Sequence, residues 1–453
     1  MSLDFDRLFA EMAEDADGTP FPGLESVRRR SRRRHARIAA GAFSVASVVA
    51  AVSVAVALLV PAAPQPVAQQ PFLPIDGGAA PVVAFGGSGV AVMTATVGGT
   101  TYARWSDPDQ REFVAAIDLA MLTPLWAVTV GQTVGFHRLE VSRGAILTAT
   151  TKGSSGDFEL VALDPVTGRV MWRLDYAFQT DSHLLYDDLI IVSRAGTGAT
   201  EAIELKTGRT LWRSGPDLGV SAMRRSEEFW QLRGWSGLPV PADRRFVAYL
   251  AGGTIQIRSV DTGQPLSEFP GELAGASVID GRLYSAALVP GGEPADGLSQ
   301  IDPQRSGKRI MIYAGKVHSV AACFAGDLLC VMGDTELVLI DAVSGRELWR
   351  RPALGNRDAA YATGTAILVP TTEGHAVYDL TGKRLLTVGD QAGWADADHL
   401  LAWESGAVSA YSVATGERTV LGQAPATYCT WNSTALACPT RAGISAWRYR
   451  ASG

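Results

Sequence analysis

Four cysteines are the residues of this chain whose type and spacing point most directly to chemistry. They form two close pairs, Cys323 with Cys330 and Cys429 with Cys438. Each pair flanks a short turn-like segment, and facing residues of two antiparallel strands lie within disulfide reach. The spacing therefore predicts two local disulfides. Four buried free thiols are the alternative, whereas the spacings do not match those of common zinc sites.

Other side chains capable of chemistry are scattered along the sequence. It contains no His-Glu-x-x-His, no Gly-x-x-x-x-Gly-Lys-Ser/Thr and no Gly-x-Ser-x-Gly. Histidines such as His183 and His399 stand in different segments of the chain. Residues 107–112 resemble a fragment of a calcium loop, but they lack the glycine and the closing glutamate of an EF-hand. We therefore predict no catalytic residue, no metal site and no cofactor.

An N-terminal membrane segment is the first element to be placed. Residues 38–60 carry no charge, and as a helix they span roughly 35 Å, enough to cross a bilayer. A cleaved signal peptide is the alternative, but this apolar run is longer than a signal core and follows 37 other residues. The run is preceded by an arginine cluster, made of Arg28, Arg29, Arg30, Arg32, Arg33, Arg34 and Arg37. Because such clusters stay in the cytoplasm, the pattern predicts a single-pass plasma-membrane protein whose chain lies outside after the helix.

Two short segments flank the predicted transmembrane helix. Residues 1–37 form a short cytoplasmic segment, in which the first 27 residues include an amphipathic stripe that could dock on a cytoplasmic partner. A partly ordered tail is the alternative. Residues 61–79 are rich in Pro, Ala and Gln and are predicted to form an extended linker.

Residues 80–453 contain a sequence repeat. Each copy combines an alternating apolar strand, an Asp-x-x-Thr-Gly turn and a second strand with a large apolar residue four positions after the glycine. A degenerate copy over 115–126 has lost the glycine but ends in Trp126. Two further apolar runs precede each copy, which indicates about four strands per repeat of about 40 residues. The residues predicted to mark the repeat are Asp164, Gly168, Trp172, Gly208, Trp212, Gly263, Gly307, Asp341, Gly345, Trp349, Gly382 and Gly416.

This hairpin resembles the repeat of PQQ-like (quinoprotein-type) β-propellers. The family includes quinoprotein alcohol dehydrogenases, the lipoprotein of the bacterial outer-membrane assembly machinery and many actinobacterial surface proteins. The resemblance implies an all-β fold in which the tryptophans Trp172, Trp212 and Trp349 dock between neighbouring blades. The N-terminal layout, an acidic segment followed by an arginine run and one anchor, is also similar to that of actinobacterial membrane proteins.

The number of blades follows from the copies of the hairpin. Eight two-strand motifs are centred near residues 118, 164, 206, 261, 304, 343, 381 and 414. We predict an eight-bladed propeller of four-stranded blades, with seven blades as the alternative. The final strand, 443–449, has no successor, and an N-terminal strand near 72–75 or 81–85 could complete the last blade.

Composition and family pattern together favour a binding protein over an enzyme. A net charge of −6 over 453 residues does not predict the basic surface that nucleic-acid binding requires. Quinoprotein dehydrogenases resemble this chain in fold but use adjacent cysteines and calcium-binding asparagines, and this sequence has no adjacent cysteines and only two asparagines. We predict a non-catalytic, membrane-anchored extracytoplasmic propeller that binds a protein or envelope ligand. The alternatives are a transmembrane sensor that signals to a cytoplasmic partner, or a quinoprotein-like enzyme.

Overall fold

The structure is a computed structural model, and its described elements are all β-strands. The predicted cytoplasmic segment, the arginine cluster, the transmembrane helix 38–60 and Gly307 lie outside the described residues. Within the described part, no helix is long and apolar enough to cross a membrane. The described residues are 72–76, 80–85, 90–132, 139–152, 157–177, 180–215, 220–225, 244–250, 254–270, 276–279, 282–286, 295–301, 309–323, 328–354, 361–363, 365–389, 391–425 and 428–450.

After a short first strand, β1 (Val83–Ala84), the strands follow one another in antiparallel groups of four, here called units 1 to 9. Unit 1 contains β2 (Val90–Val97), β3 (Thr100–Ser106), β4 (Arg111–Asp118) and β5 (Thr123–Gln132). Unit 2 contains β6 (Leu139–Val141), β7 (Ile146–Lys152), β8 (Asp157–Leu163) and β9 (Val170–Asp175). Unit 3 contains β10 (Ser182–Leu185), β11 (Leu189–Ser193), β12 (Thr200–Glu204) and β13 (Thr210–Arg213). Unit 4 contains β14 (Val220–Arg225), β15 (Arg245–Leu250), β16 (Thr254–Ser259) and β17 (Pro265–Pro270).

The remaining strands continue the same pattern to the end of the chain. Unit 5 contains β18 (Ala276–Ile279), β19 (Arg282–Ala286), β20 (Ala295–Ile301) and β21 (Arg309–Val317). Unit 6 contains β22 (Ser319–Cys323), β23 (Leu328–Met332), β24 (Glu336–Asp341) and β25 (Glu347–Pro352). Unit 7 contains β26 (Tyr361–Ala362), β27 (Ala366–Thr371), β28 (Gly374–Asp379) and β29 (Arg384–Val388). Unit 8 contains β30 (Gln391–Trp394), β31 (His399–Glu404), β32 (Ala407–Ser412) and β33 (Arg418–Gln423). Unit 9 contains β34 (Thr430–Trp431), β35 (Ala435–Pro439), β36 (Gly443–Arg448) and, as its fourth strand, β1.

The described strands thus form nine four-stranded units, one more than the eight blades expected from the sequence. Hydrogen bonding gives eight sheets, because units 1 and 2 share one eight-stranded sheet through the single pair Gln132 and Thr151. Counting the repeated hairpin misses unit 9 for a physical reason. Its third and fourth strands come from opposite ends of the domain, so no continuous hairpin marks it in the sequence.

Apolar packing between successive units closes the nine units into a ring. Each strand in the middle of a unit is buried on both faces, so each unit packs one face against the unit before it and the other against the unit after it. In the described residues, nine apolar clusters lie one at each junction between neighbouring units. The cluster that joins unit 9 to unit 1 includes Ala437 and Ile444 with Ala103 and Trp105.

The N-terminal part of the described chain completes the ring. Val83 pairs with Ile444 in β36, as expected for a strand that fills the last unit. Upstream, Phe72 forms a bridge with Arg450, and Ile75 is buried with the apolar residues of units 8 and 9. Phe72 and Ile75 therefore pack with the ring, although the sequence analysis placed residues 61–79 in a linker.

The antiparallel order gives the ring two different ends. In each unit, the turns between strands one and two and between strands three and four emerge at the same end, which we call the turn face. The opposite face carries the turns between strands two and three and the connections between units. We call the hairpins between third and fourth strands the outer hairpins; their described turns lie at 118–123, 164–170, 204–210, 259–265, 341–347, 379–384 and 412–418.

Candidate functional site: outer-hairpin contacts and a polar cleft

The outer hairpins are shaped by the predicted Asp and Gly residues. In unit 2, Asp164 Oδ1 accepts hydrogen bonds from the backbone N–H groups of Val166 and Thr167, at 2.9 and 2.8 Å. Those bonds, led by the one from Thr167, hold the pKa of Asp164 below its usual value. Asp341 makes the equivalent bonds in unit 6. The six turn glycines within the described residues have positive φ: Gly168 (69°), Gly208 (71°), Gly263 (67°), Gly345 (68°), Gly382 (78°) and Gly416 (73°).

Three tryptophans each join their unit to the next one at the junctions where the family resemblance placed them. Each indole lies against the turn glycine of the following unit and donates a hydrogen bond to a carbonyl oxygen in that turn. A Cβ added to Gly263, for example, would lie 2.5 Å from the Trp212 ring. The bonds run from Trp172 Nε1 to Leu205 O (2.6 Å), from Trp212 Nε1 to Val260 O (2.8 Å) and from Trp349 Nε1 to Leu380 O (3.0 Å).

The degenerate copies behave differently from one another. Trp126, which ends the copy without a glycine, still donates to Pro165 O at 3.2 Å and packs on Gly168. In unit 5 the sequence assigned the tryptophan position to Met311, but that side chain is 62% exposed and Ile312 contacts Gly345 instead. These contacts are structural, so the described repeat residues build the ring.

Both predicted disulfides are present. Cys323 is bonded to Cys330 in unit 6, with Cα atoms 5.7 Å apart, and Cys429 to Cys438 in unit 9, with Cα atoms 4.2 Å apart. The first pair is diagonal rather than directly opposite as expected, because Cys330 faces Ala321 in the strand register. All four cysteines of the chain are therefore used, which leaves no thiol for catalysis or metal binding.

A polar cleft lies at the junction of units 5 and 6, toward the opposite face. Its volume is about 550 Å³. One wall is the end of β21, where the register passes from Tyr313 to Lys316, so that Ala314 and Gly315 bulge out of the ladder. A Cβ at Gly315 would lie 2.2 Å from the Tyr313 hydroxyl, so a larger residue there must displace that side chain. The other wall comes from unit 6 and consists of Asp334, Thr335, Glu336, Glu347 and Arg350.

Charged side chains in the cleft are held by one another. Arg350 Nη1 contacts both oxygens of Glu336 at 3.1 Å, and its Nε and Nη2 donate to Glu347 at 2.9 and 2.7 Å. The Tyr313 hydroxyl donates to Glu336 Oε1 at 2.7 Å. Burial, with the adjacent Glu336 carboxylate, raises the pKa of Tyr313 to about 12, so this hydroxyl keeps its proton at neutral pH.

A second ion pair lies at the mouth of the cleft. Asp334 accepts a hydrogen bond from the His318 ring at 2.5 Å and lies 3.6 Å from Lys316 Nζ. The His318 bond, followed by the Lys316 charge, lowers the pKa of Asp334. With two basic and three acidic side chains, the cleft has a formal charge of −1 when His318 is neutral. It can bind a polar, partly cationic segment, and sequence reasoning missed it because its walls come from two units.

Other candidates from the sequence are occupied by local interactions. In the possible calcium fragment, Asp107 accepts hydrogen bonds from Arg111 N and Nε, both at 2.8 Å. His183 lies between Tyr176 and Glu140, and His399 contacts Asp396. Among the described residues, no group of three His, Cys, Asp or Glu side chains is arranged to hold a metal ion.

The fold is that of a β-propeller, and comparisons with known proteins agree with the repeat. A family model described as outer membrane protein assembly factor BamB matches residues 110–270. BamB of Nitrosomonas eutropha is 33% identical over 107 residues, which are 23% of this chain and 25% of that protein. This chain thus spans about a quarter of the length of that relative. Residues 110–270 therefore carry PQQ-like β-propeller repeats.

Solved structures also align with this chain, at lower sequence identity. The crystal structure of BamB from Moraxella catarrhalis aligns with 74% of this chain and 99% of its own, at 16% identity and a TM-score of 0.42. A crystal structure titled as the eukaryotic initiation factor aligns with 75% of this chain and 89% of its own, at 11% identity and a TM-score of 0.53. At that identity the second likeness concerns the fold alone.

Proposed function

We propose that this chain is a membrane-anchored, extracytoplasmic β-propeller that binds a protein partner and does not catalyse a reaction. The observation that carries the proposal is the match of residues 110–270 to repeats of a bacterial assembly factor. Propellers present broad end faces made of loops, and such faces suit protein recognition. The fold by itself does not point to any particular reaction.

The proposed location rests on the N-terminal apolar run and on the two disulfides. The apolar run 38–60 after seven arginines supports a single helix with the N-terminus inside, an arrangement similar to that of actinobacterial membrane proteins. Two disulfides in the described domain support an oxidising compartment for the propeller. We therefore place the propeller outside the plasma membrane.

The proposed partner site is the cleft between units 5 and 6. Its bulged residues Ala314 and Gly315 offer backbone groups outside the ladder, and side chains cannot cover them because both residues are small. At the mouth of the cleft, the exposed side chains of Lys316 and Asp334 fit a carboxylate and a cation of a partner, respectively. An extended polar segment of another protein satisfies both kinds of group.

A site-specific cross-link tests this binding site. A photoreactive amino acid at Thr335, which is exposed beside the cleft, should give one discrete protein adduct in intact cells. Gly315→Val should weaken the adduct several-fold, because the new side chain displaces Tyr313 and fills the cleft. Gly196→Val is the matched control, since Gly196 lies in a turn of the opposite face of unit 3 with no atom within 4 Å of an added Cβ.

The outcomes separate a binding site from an ordinary surface. An adduct that Gly315→Val removes and Gly196→Val keeps supports the cleft, provided that both variants melt at the wild-type temperature. No adduct from Thr335, or an equal adduct in both variants, would exclude the cleft as the partner site.

A further inference from the structure

Exposed apolar side chains are concentrated on one end of the ring. Among the described residues, eleven large apolar side chains are exposed, and all but Tyr428 lie in the outer hairpins or within the fourth strands that leave them. Val166 and Met121, at the tips of their turns, are 78% and 69% exposed. The ten residues are Met121, Leu125, Val166, Val170, Leu211, Leu266, Ile310, Met311, Val343 and Val420.

One position of this set recurs in two units. Val166 and Val343 occupy the same position of the turn in units 2 and 6, two residues after the capping aspartate. Solvent-exposed turns ordinarily carry polar residues at such tips. Single exposed apolar residues need no explanation. A group of them on one face of a protein marks a surface that contacts another protein or a membrane.

The chain enters the ring at this same face. Phe72 is bridged to Arg450, and Leu73 N donates to Tyr449 O at 2.8 Å. Tyr449 N in turn donates to Thr434 O, in the turn between the first two strands of unit 9, which belongs to the turn face. Between the predicted transmembrane helix and Phe72 there are eleven residues, 61–71, which reach at most about 40 Å when fully extended.

The turn face carries both basic and acidic side chains. The residue after the turn glycine is an exposed base in four described units (Arg169, Arg209, Arg346 and Lys383), whereas it is Gln264 in unit 4 and Glu417 in unit 8. The capping carboxylates of these turns, as in Asp164, accept hydrogen bonds from their own backbone. Basic side chains beside apolar ones are typical of surfaces that bind at a membrane interface.

We propose that the turn face rests on the phospholipid bilayer, with the apolar tips of the outer hairpins inserted among the headgroups. This inference rests on the proposed membrane anchor, because the entry point of the chain selects the bilayer over other apolar partners. It orients the ring so that the cleft between units 5 and 6 faces away from the membrane.

Spin-label accessibility in the full-length protein tests the orientation. Val166→Cys, Val343→Cys and Thr372→Cys are labelled one at a time with a nitroxide, since the four native cysteines are bonded to one another. The protein is placed in nanodiscs of phosphatidylcholine and phosphatidylglycerol, one copy per disc. Thr372 is the control, because it is exposed in a turn of the opposite face.

At positions 166 and 343 we expect collisions with a water-soluble nickel chelate to fall several-fold relative to position 372, and collisions with oxygen to rise. Equal accessibility at all three positions, in protein that stays in the disc, would overturn the orientation and leave the anchor intact. Loss of the protein from the discs would overturn the anchor together with this inference. Protection that is absent at one copy per disc, but appears with spin–spin broadening in discs loaded with two copies, would identify a second copy of this chain as the occupant instead.

Discussion

The contact between a tryptophan and the next turn glycine explains how single residues build this ring. Its two partners could be predicted because Gly and Trp recur at a fixed spacing inside one hairpin. The residue of unit 5 that contacts the next turn glycine, Ile312, could not be predicted, because a bulge in β21 determines which side chain points toward unit 6. Ser299 pairs with Met311 and Leu298 with Tyr313, so Ile312 is an extra residue that turns toward the next unit.

Substitution of two turn glycines separates the tryptophan contact from backbone strain. Gly263 and Gly416 share nearly the same φ, 67° and 73°, but only Gly263 touches an indole. Gly416→Ala should therefore lower the free energy of unfolding by about 1–2 kcal/mol, the cost of a left-handed conformation. Gly263→Ala should cost at least about 1 kcal/mol more, because the methyl group displaces Trp212. Denaturant unfolding of the full-length protein in detergent measures both, and equal losses would contradict the packing role.

At the scale of elements, the hairpins were readable from the sequence and the closure of the ring was only partly so. Strand β1 has two residues, Val83 and Ala84, too few to produce a visible alternating pattern. Its pairing with β36 depends on the position of the last unit in space, which no local pattern records. The disulfides show the same limit, since the spacing predicted both pairs, while in the first pair each cysteine lies two residues away from the position directly opposite its partner.

A group of polar and aromatic side chains stabilises the closure of the ring, where the N-terminal segment meets units 8 and 9. Arg450 stacks its guanidinium over the Phe72 ring, 4.4 Å from the centroid, and pairs with Asp396. Asp396 also accepts hydrogen bonds from His399 Nδ1 at 2.9 Å and from Asp398 N at 2.8 Å. Burial alone would raise the pKa of Asp396, but these bonds and the Arg450 charge outweigh it and hold the pKa well below its usual range.

The lowered pKa of Asp396 gives a pH dependence with a definite sign. A carboxyl group with a folded-state pKa below its unfolded value stabilises the protein above the unfolded pKa, about 3.9, and loses this effect as the pH falls toward the folded value. Asp396→Asn should therefore lower the melting temperature at pH 7, and the difference from wild type should shrink below about pH 4. Asp398→Asn, on an exposed neighbour, is the control. If the difference in melting temperature between wild type and Asp396→Asn does not change with pH, the charge of Asp396 does not stabilise the closure of the ring.

For the whole molecule, the two proposed functions lie on different faces of the ring: membrane contact on the turn face and partner binding on the opposite face. The turn face carries the tryptophan contacts, the exposed apolar tips and the entry of the chain. The opposite face carries the bulge of β21 and the ion pairs of the cleft. Of the first set, sequence patterns revealed the tryptophan contacts, because each outer hairpin is a continuous segment. They did not reveal the second set, because the cleft forms only where β21 meets unit 6.

The direction in which the chain crosses the membrane is the prediction on which this division depends. A phosphatase that is active only outside the cytoplasm, fused after Gly453, should be active, because the arginine cluster stays inside and the helix 38–60 then exports the propeller. Replacing the seven arginines between residues 28 and 37 with glutamine should reduce this activity several-fold by allowing inverted insertion. Arg169→Gln with Arg209→Gln is the matched control, since both residues lie in the exported domain and should not orient the helix. An inactive fusion whose N-terminus is open to external protease would reverse the topology. In that case the two disulfides would lie in a reducing compartment, and the membrane-facing role of the turn face would have to be abandoned.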